Sequence, residues 1–271
     1  MHYSAAVLSI VFTASASGAS KIAAPPGVCD IFSSGGTPCV AAHSLTRALF
    51  GQYDGPLYSV LNAATNATKD IGCKSAGGAA DVEAQAAFCG AKLCIVQRIY
   101  DQTKHENHLG RERGFPYLHS PRDAYDAGVN LTASAKVSLG GAAVYGAVFD
   151  SHCDVHACPK SEPRCCDGVF AGYSNRTAAG TAVKDQPQTV YALFDGRHYD
   201  SGCCFDYGNA EKARPPGVIT SGMGAGAMEA VYFGCGDKSP STPGWRGCNS
   251  TGPYVYSDLE TMVRLLYCCC C

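Results

Sequence analysis

Two adjacent cysteines, Cys203 and Cys204, constrain this chain more tightly than any other feature of its sequence. If their sulfurs bond to each other, they close a small ring around the peptide bond that joins them. Adjacent Cα atoms lie about 3.8 Å apart across a trans peptide, below the usual disulfide range of roughly 4.4–6.8 Å. Such a ring is strained, and strain that persists generally serves a site. If each cysteine instead bridges to a distant partner, the pair staples two loops to one point, as adjacent cysteines do in secreted proteins. Chemistry alone leaves both arrangements open.

The other cysteines say where such a chain would live. The chain holds 17 cysteines in all among 271 residues, which points to an oxidising compartment. The N-terminus agrees. Ala5 to Phe12 is a short apolar run, followed by small residues with cleavage options after Ala16 or Ala19, the outline of a secretory signal spanning 1–19. Secretion is therefore the expected localisation. Sequons begin at Asn66, Asn130, Asn175 and Asn249, and each marks a surface position if glycosylated. A net charge of −2 leaves no basic footprint for nucleic acid. The signal's apolar run is too short to span a bilayer, and no later segment approaches the ~20 apolar residues of a spanning helix.

The pattern along the chain is that of an all-β protein. Cys29 to Cys39 reads as a tight loop, while His43 to Phe50 and the Ala-rich Asp81 to Phe88 have short helical character. Strands are expected at Leu93 to Tyr100, Lys136 to Leu139, Ala143 to Phe149, Val190 to Phe194, Ala230 to Phe233 and Tyr254 to Leu259. Each is short, rich in β-branched or aromatic residues, and bounded by turn formers. Many short strands with turn punctuation argue for a sandwich or jelly roll rather than a βα repeat. No internal repeat or linker marks a second domain.

Several segments together carry a family likeness. The run CCFDYGNAE from Cys203 to Glu211 is preceded by FDGRHYD and followed by GAMEAVYFG. With CDIFSSGGTPCVAAHSLTRALF at the N-terminus, YDGPLY at Tyr53 to Tyr58, IYDQ at Ile99 to Gln102 and GPYVYSDLE at Gly252 to Glu260, it resembles the catalytic domain of glycoside hydrolase family 54, the α-L-arabinofuranosidases. The resemblance is collinear from Cys29 to Glu260 and implies a catalytic domain over 20–261. It implies a concanavalin- or lectin-like β-sandwich that removes terminal, non-reducing α-L-arabinofuranosyl groups from arabinan and arabinoxylan with retention of configuration. An arabinose-containing plant polysaccharide is then the expected partner, a monomer the expected state, and no cofactor or metal is called for.

A retaining glycosidase needs two carboxyl groups about 5–5.5 Å apart, one as nucleophile and one as acid/base. The resemblance places the nucleophile on Glu260 and sugar binding on Asp258. Alternate residues of a strand share a face, so both carboxylates can line one pocket. The same likeness implies disulfides Cys29–Cys39 and Cys89–Cys94, and makes Cys203–Cys204 a vicinal disulfide at the pocket floor. Trp245, the single tryptophan, matches the family's pocket tryptophan, whose face suits sugar C–H groups. Asp206, Asn209 and Glu229 lie in matched segments and either bond sugar hydroxyls or cap turns.

Other features stay outside that site. Cys235 and Cys248 bracket Trp245 and can pair, Cys153, Cys158, Cys165 and Cys166 can form two bridges, and Cys73 is left over. His152, Cys153, Asp154, His156 and Cys158 are zinc-type ligands, but their spacing fits no standard finger. Lys104, His105, Glu106 and His108 read as a solvated loop. The family's acid/base aspartate sits in a Gly-Gly-Asp context beyond the nucleophile, and no such segment occurs in these 271 residues. Residues 262–271, ending in Cys268 to Cys271, have no structural rationale and are expected to mark a truncated or frame-shifted reading, without the family's arabinose-binding module. The expectation is an incomplete β-sandwich with weak or no activity. The alternatives are a lectin-like arabinose-binding protein or a cysteine-rich cell-surface protein. Non-reducing proteolysis and mass mapping test the vicinal bond: the peptide holding Cys203 and Cys204 is expected two hydrogens lighter than its reduced form, with no second peptide attached.

Overall fold

A computed structural model of the chain describes residues 24–111, 136–147, 173–175, 177–182, 186–193, 205–209, 229–234 and 254–259. These residues are mostly strands. Two short helices, α1 (Val28–Ser34) and α2 (Val82–Cys89), accompany ten strands: β1 (Pro56–Asn62), β2 (Ala67–Gly72), β3 (Cys94–Ile99), β4 (Leu109–Arg111), β5 (Lys136–Leu139), β6 (Ala142–Tyr145), β7 (Tyr173–Ser174), β8 (Phe205–Asn209), β9 (Glu229–Gly234) and β10 (Tyr254–Leu259). They form a five-stranded sheet in the order β2-β1-β3-β4-β7, a three-stranded sheet β10-β9-β8 and the hairpin β5-β6. All pairings are antiparallel.

The main core forms on β1. Leu57, Tyr58 and Val60 are fully buried, together with Ile71 of β2 and Val96 of β3. Buried residues follow one another along β1 from Leu57 to Val60, so both of its faces are covered. With Ser59 buried among apolar neighbours, its sequence shows no apolar/polar alternation. The Tyr58 hydroxyl donates to Gln85 Oε1 on α2, so two buried polar atoms satisfy each other. The N-terminus of α2 is capped by Asp81, whose Oδ1 accepts from the Ala84 N–H at 3.0 Å, a standard N-cap contact. A disulfide joins Cys89, at the end of α2, to Cys94, at the start of β3.

A smaller cluster, Cys29, Ala42 and Leu49, gathers under α1. The Cys29–Cys39 disulfide closes this segment. Asp30 Oδ2 accepts from the Gly27 N–H at 2.8 Å and the Gly51 N–H at 2.6 Å, tying the helix start to the next loop. Gly27 is required here, because a Cβ would meet the Leu49 carbonyl.

The structure departs from the sequence reading at four places. Residues 29–39, expected as a loop, contain α1. No strand was expected before Leu93, yet β1 and β2 supply the core of the larger sheet. His43 to Phe50 is not helical, because its backbone groups are taken by other partners. Ser44 Oγ accepts from the N–H groups of Thr46 and Arg47, Gly78 O accepts from Ala48 N–H, and Gln102 Oε1 accepts from Leu49 N–H. Residues 190–193 pair with no described strand, although Tyr191 and Leu193 are exposed in alternation with their neighbours. Cys73 is a free thiol, half-buried, and burial pushes its pKa up.

Replacing Tyr58 by Phe leaves the buried Gln85 oxygen without its donor. A buried acceptor stripped of its partner costs about 1–3 kcal/mol, so a lower urea midpoint at unchanged slope is expected in equilibrium unfolding of the variant.

Candidate active site

Three of the sequence motifs singled out above meet at one buried polar node. Asp101, from Ile99–Gln102, is 3% exposed and accepts four hydrogen bonds. Its Oδ1 takes the N–H groups of Ala42 at 2.8 Å and Thr103 at 3.0 Å, and its Oδ2 takes Thr103 Oγ1–H at 2.7 Å and the Asn107 N–H at 2.9 Å. Burial alone would push the carboxyl pKa up, but these bonds outweigh burial and hold it below its ordinary value. The adjoining Gln102 supports Leu49 N–H and donates to Arg47 O. Both polar residues of the IYDQ motif therefore bind the backbone of the segment 42–49.

His43 carries the connection onward. Its Nε2 lies 2.7 Å from the Asn107 carbonyl oxygen. A carbonyl only accepts, so Nε2 holds the proton and Nδ1 is the acceptor. Nδ1 receives the Tyr207 hydroxyl at 3.0 Å, and the two rings meet edge to face. Burial lowers the His43 pKa; the bond to Asn107 and the charge of Asp101 oppose this without reversing it, and His108 lowers it further. Burial, with Asp101 and Tyr191 adding to it, pushes Tyr207 up to about 12. Asn107 closes the node: its Nδ2 donates to Val40 O and Ala179 O, and its Oδ1 accepts from Ala179 N–H.

Tyr207 lies in CCFDYGNAE, so this contact ties the three-stranded sheet to the N-terminal segment. In that sheet Tyr207 stands opposite Val231, which stands opposite Ser257. Asn209, Glu229 and Leu259 form one row, and Gly208, Ala230 and Asp258 the next. The register thus brings Asp258 to the same end of the sheet as Asn209 and Glu229. Asp206 pairs with Tyr232 within the sheet. Phe205, the residue after Cys204, stands opposite Phe233 and through it Val255. That row is four residues from Leu259, or about 13 Å along the strand. Cys203, Cys204, Trp245 and Glu260 lie outside the described residues, as do the candidate ligands of 152–158 and the cysteines 153, 158, 165, 166, 235 and 248. Among the described residues no group of His, Cys, Asp and Glu is arranged to hold a metal.

The loop 104–108 is only partly the solvated segment expected. Lys104 and Glu106 are exposed. His108 instead accepts the Asp101 N–H on Nδ1 at 3.0 Å and packs edge to face on Tyr100. Sequence reasoning gave His43, Asp101, Asn107 and Tyr207 no role. Three of them sat inside the matched motifs, and that was the available signal.

The comparisons with known proteins follow this geometry. The family model for "Alpha-L-arabinofuranosidase B, catalytic" matches residues 28–162 and 165–265. The chain belongs to this family. It is 42% identical over 236 residues to a probable α-L-arabinofuranosidase B of Aspergillus terreus, and 41% identical over 236 residues to the α-L-arabinofuranosidase B of Penicillium canescens. Each alignment takes in 86% of this chain, but only 40% and 44% of those relatives. The chain therefore spans less than half the length of the α-L-arabinofuranosidases B it resembles. Among solved structures, a glycoside hydrolase family 54 arabinofuranosidase soaked with a cyclic sulfate inhibitor matches with TM-score 0.67 and 36% identity, over 86% of this chain and 42% of that one. An arabinofuranosidase complexed with arabinofuranosyl-α-1,2-xylobiose matches with TM-score 0.67 and 34% identity, over the same shares of the two chains.

The node makes stability depend on pH. His43 is held neutral in the fold, below its ordinary value of 6.5. In that window the unfolded chain binds the extra proton, so stability is complete above about pH 6.5 and falls as pH drops. Acid stability lost through Asp101 belongs to a lower range, beneath its ordinary value of 3.8. His43→Leu is expected to lose about 1–3 kcal/mol at pH 7 from the two orphaned partners, and to flatten the slope below the ordinary histidine value of 6.5. Urea unfolding at several pH values reads both effects.

Proposed function

We propose that this chain supplies the catalytic domain of a secreted, retaining α-L-arabinofuranosidase. Its substrate is a terminal, non-reducing α-L-arabinofuranosyl group on a plant arabinan or arabinoxylan, taken by a monomer. The observation that most supports this is the family match through residue 265, which spans CCFDYGNAE and SDLE. Those two motifs run on strands joined through β9 in one sheet. On this reading the fold is a lectin-like β-sandwich, of which the antiparallel sheets described above are parts.

Glu260 follows directly on β10 and acts as the nucleophile. Its carboxylate oxygen bonds to the anomeric carbon while the bond from that carbon to the leaving oxygen breaks, giving a glycosyl ester. Water then attacks the same carbon, the bond to the Glu260 oxygen breaks and frees the carboxylate, and the proton lost by water passes to solvent; the two inversions give net retention. Asp258 holds a sugar hydroxyl. The Cys203–Cys204 disulfide and Trp245 present apolar surface to the sugar's C–H face. The row Asn209, Glu229 and Leu259 borders Asp258 and offers further polar groups to the ring.

No Gly-Gly-Asp segment occurs in the 271 residues, so Glu260 is best tested with a leaving group that departs without a proton. With 2,4-dinitrophenyl α-L-arabinofuranoside, the chain is expected to release dinitrophenolate, and added azide to speed turnover by intercepting the glycosyl ester. Glu260→Gln should lower that release by at least about 10³-fold, since it removes the covalent step. Arabinofuranoside binding with no release by the unaltered chain would favour a lectin-like protein instead. Neither binding nor release would overturn the assignment.

A further inference from the structure

We propose that Asn66 carries an N-linked glycan, placed on the tip of the β1–β2 hairpin, at the end of β1 away from the polar node. Four sequons occur in the sequence, and the structure describes the acceptor at two of them. They differ in kind.

Asn66-Ala67-Thr68 lies where the turn between β1 and β2 gives way to β2. Every residue from Ala63 to Asp70 is exposed. The turn is built on Asn62, whose carbonyl accepts the Asn66 N–H at 2.8 Å and whose Oδ1 accepts the Ala64 N–H at 3.0 Å. Asn66 itself has φ +56°, a left-handed conformation that asparagine tolerates better than most residues. The turn thus needs the Asn66 backbone and leaves its side chain in solvent. β2 is also the terminal strand of its sheet among the described residues, so bulk at its start displaces no neighbouring strand.

The tip is remote from the node. Leu57, near the other end of β1, accepts the Tyr100 N–H beside Asp101. From Leu57 to Asn62 the strand advances about 17 Å, and the turn extends farther. A glycan on Asn66 therefore leaves the contacts of His43, Asp101 and Tyr207 untouched.

Asn175-Arg176-Thr177 stands in contrast. Asn175 is half-buried, and its Oδ1 accepts both the N–H and the Oγ1–H of Thr177, at 2.8 and 3.0 Å. Two residues on, Ala179 is clamped by Asn107. Folding draws this sequon towards the node, whereas nothing among the described residues covers Asn66.

In the modification, Asn66 Nδ2 bonds to the anomeric carbon of an oligosaccharide carried on a lipid diphosphate. The bond from that carbon to the phosphate oxygen breaks, the lipid diphosphate leaves, and one Nδ2 proton is lost. The Thr68 hydroxyl is the second element of the acceptor sequence.

The test is translation of the full chain with microsomes, from its own N-terminus and behind an unrelated cleavable leader. Luminal protein is then treated with peptide-N-glycosidase in ¹⁸O-water, and peptides are mapped for labelled Asp. Label is expected at position 66, at higher occupancy than at 175. Thr68→Val keeps a β-branched residue in β2 and should remove one glycan's mass. Asn66→Asp, which also tolerates positive φ, should do the same. An unlabelled position 66 in luminal protein, or occupancy below that at 175, overturns the proposal. Failure to enter the lumen only from the chain's own N-terminus overturns the secretory reading instead, because the leader arm still decides Asn66.

Discussion

The carboxylate of Asp101 is the point on which the described structure depends. It is a buried charge, and a buried charge is tolerated only when its lone pairs are filled. Here the donors come from Ala42, Thr103 and Asn107. Removing the carboxylate would leave these buried donors unpartnered. Gln102 repeats the device next door by holding Leu49 and Arg47. The IYDQ motif is thus explained as a clamp on backbone, one step removed from sugar chemistry.

From that clamp the order passes outward through His43. The imidazole sits where the fixed backbone of Ala42 leaves it, donates to Asn107 and accepts from Tyr207. Tyr207 belongs to the strand that follows Cys203 and Cys204, and its sheet also carries Asp258. The three-stranded sheet is therefore tied to the N-terminal segment through a neutral histidine. Burial keeps that histidine neutral, and acid opposes it.

The register within the smaller sheet sharpens the view of the pocket. Asp258 shares its end of the sheet with Asn209 and Glu229, while Phe205 begins the opposite end.

Local chemistry was legible in the sequence wherever one residue decides an outcome. Asp81 before an Ala-rich run specified α2, the β-branched and aromatic runs at 94–99 and 254–259 specified β3 and β10, and the motif spacing named the family. The helix expected at His43 to Phe50 failed because its backbone groups bond to Gln102, Gly78 and Ser44. β1 went unassigned because a strand buried on both faces shows no alternation. The sequence by itself determined the family, the residue types of the proposed site and the strands β3 and β10, but not the core strand β1. Only the tertiary structure decided that His43, Asp101, Asn107 and Tyr207 form one unit. They are distant along the chain, and nothing local makes a buried carboxylate seek those donors: the partners are set by packing, which no short window of sequence contains.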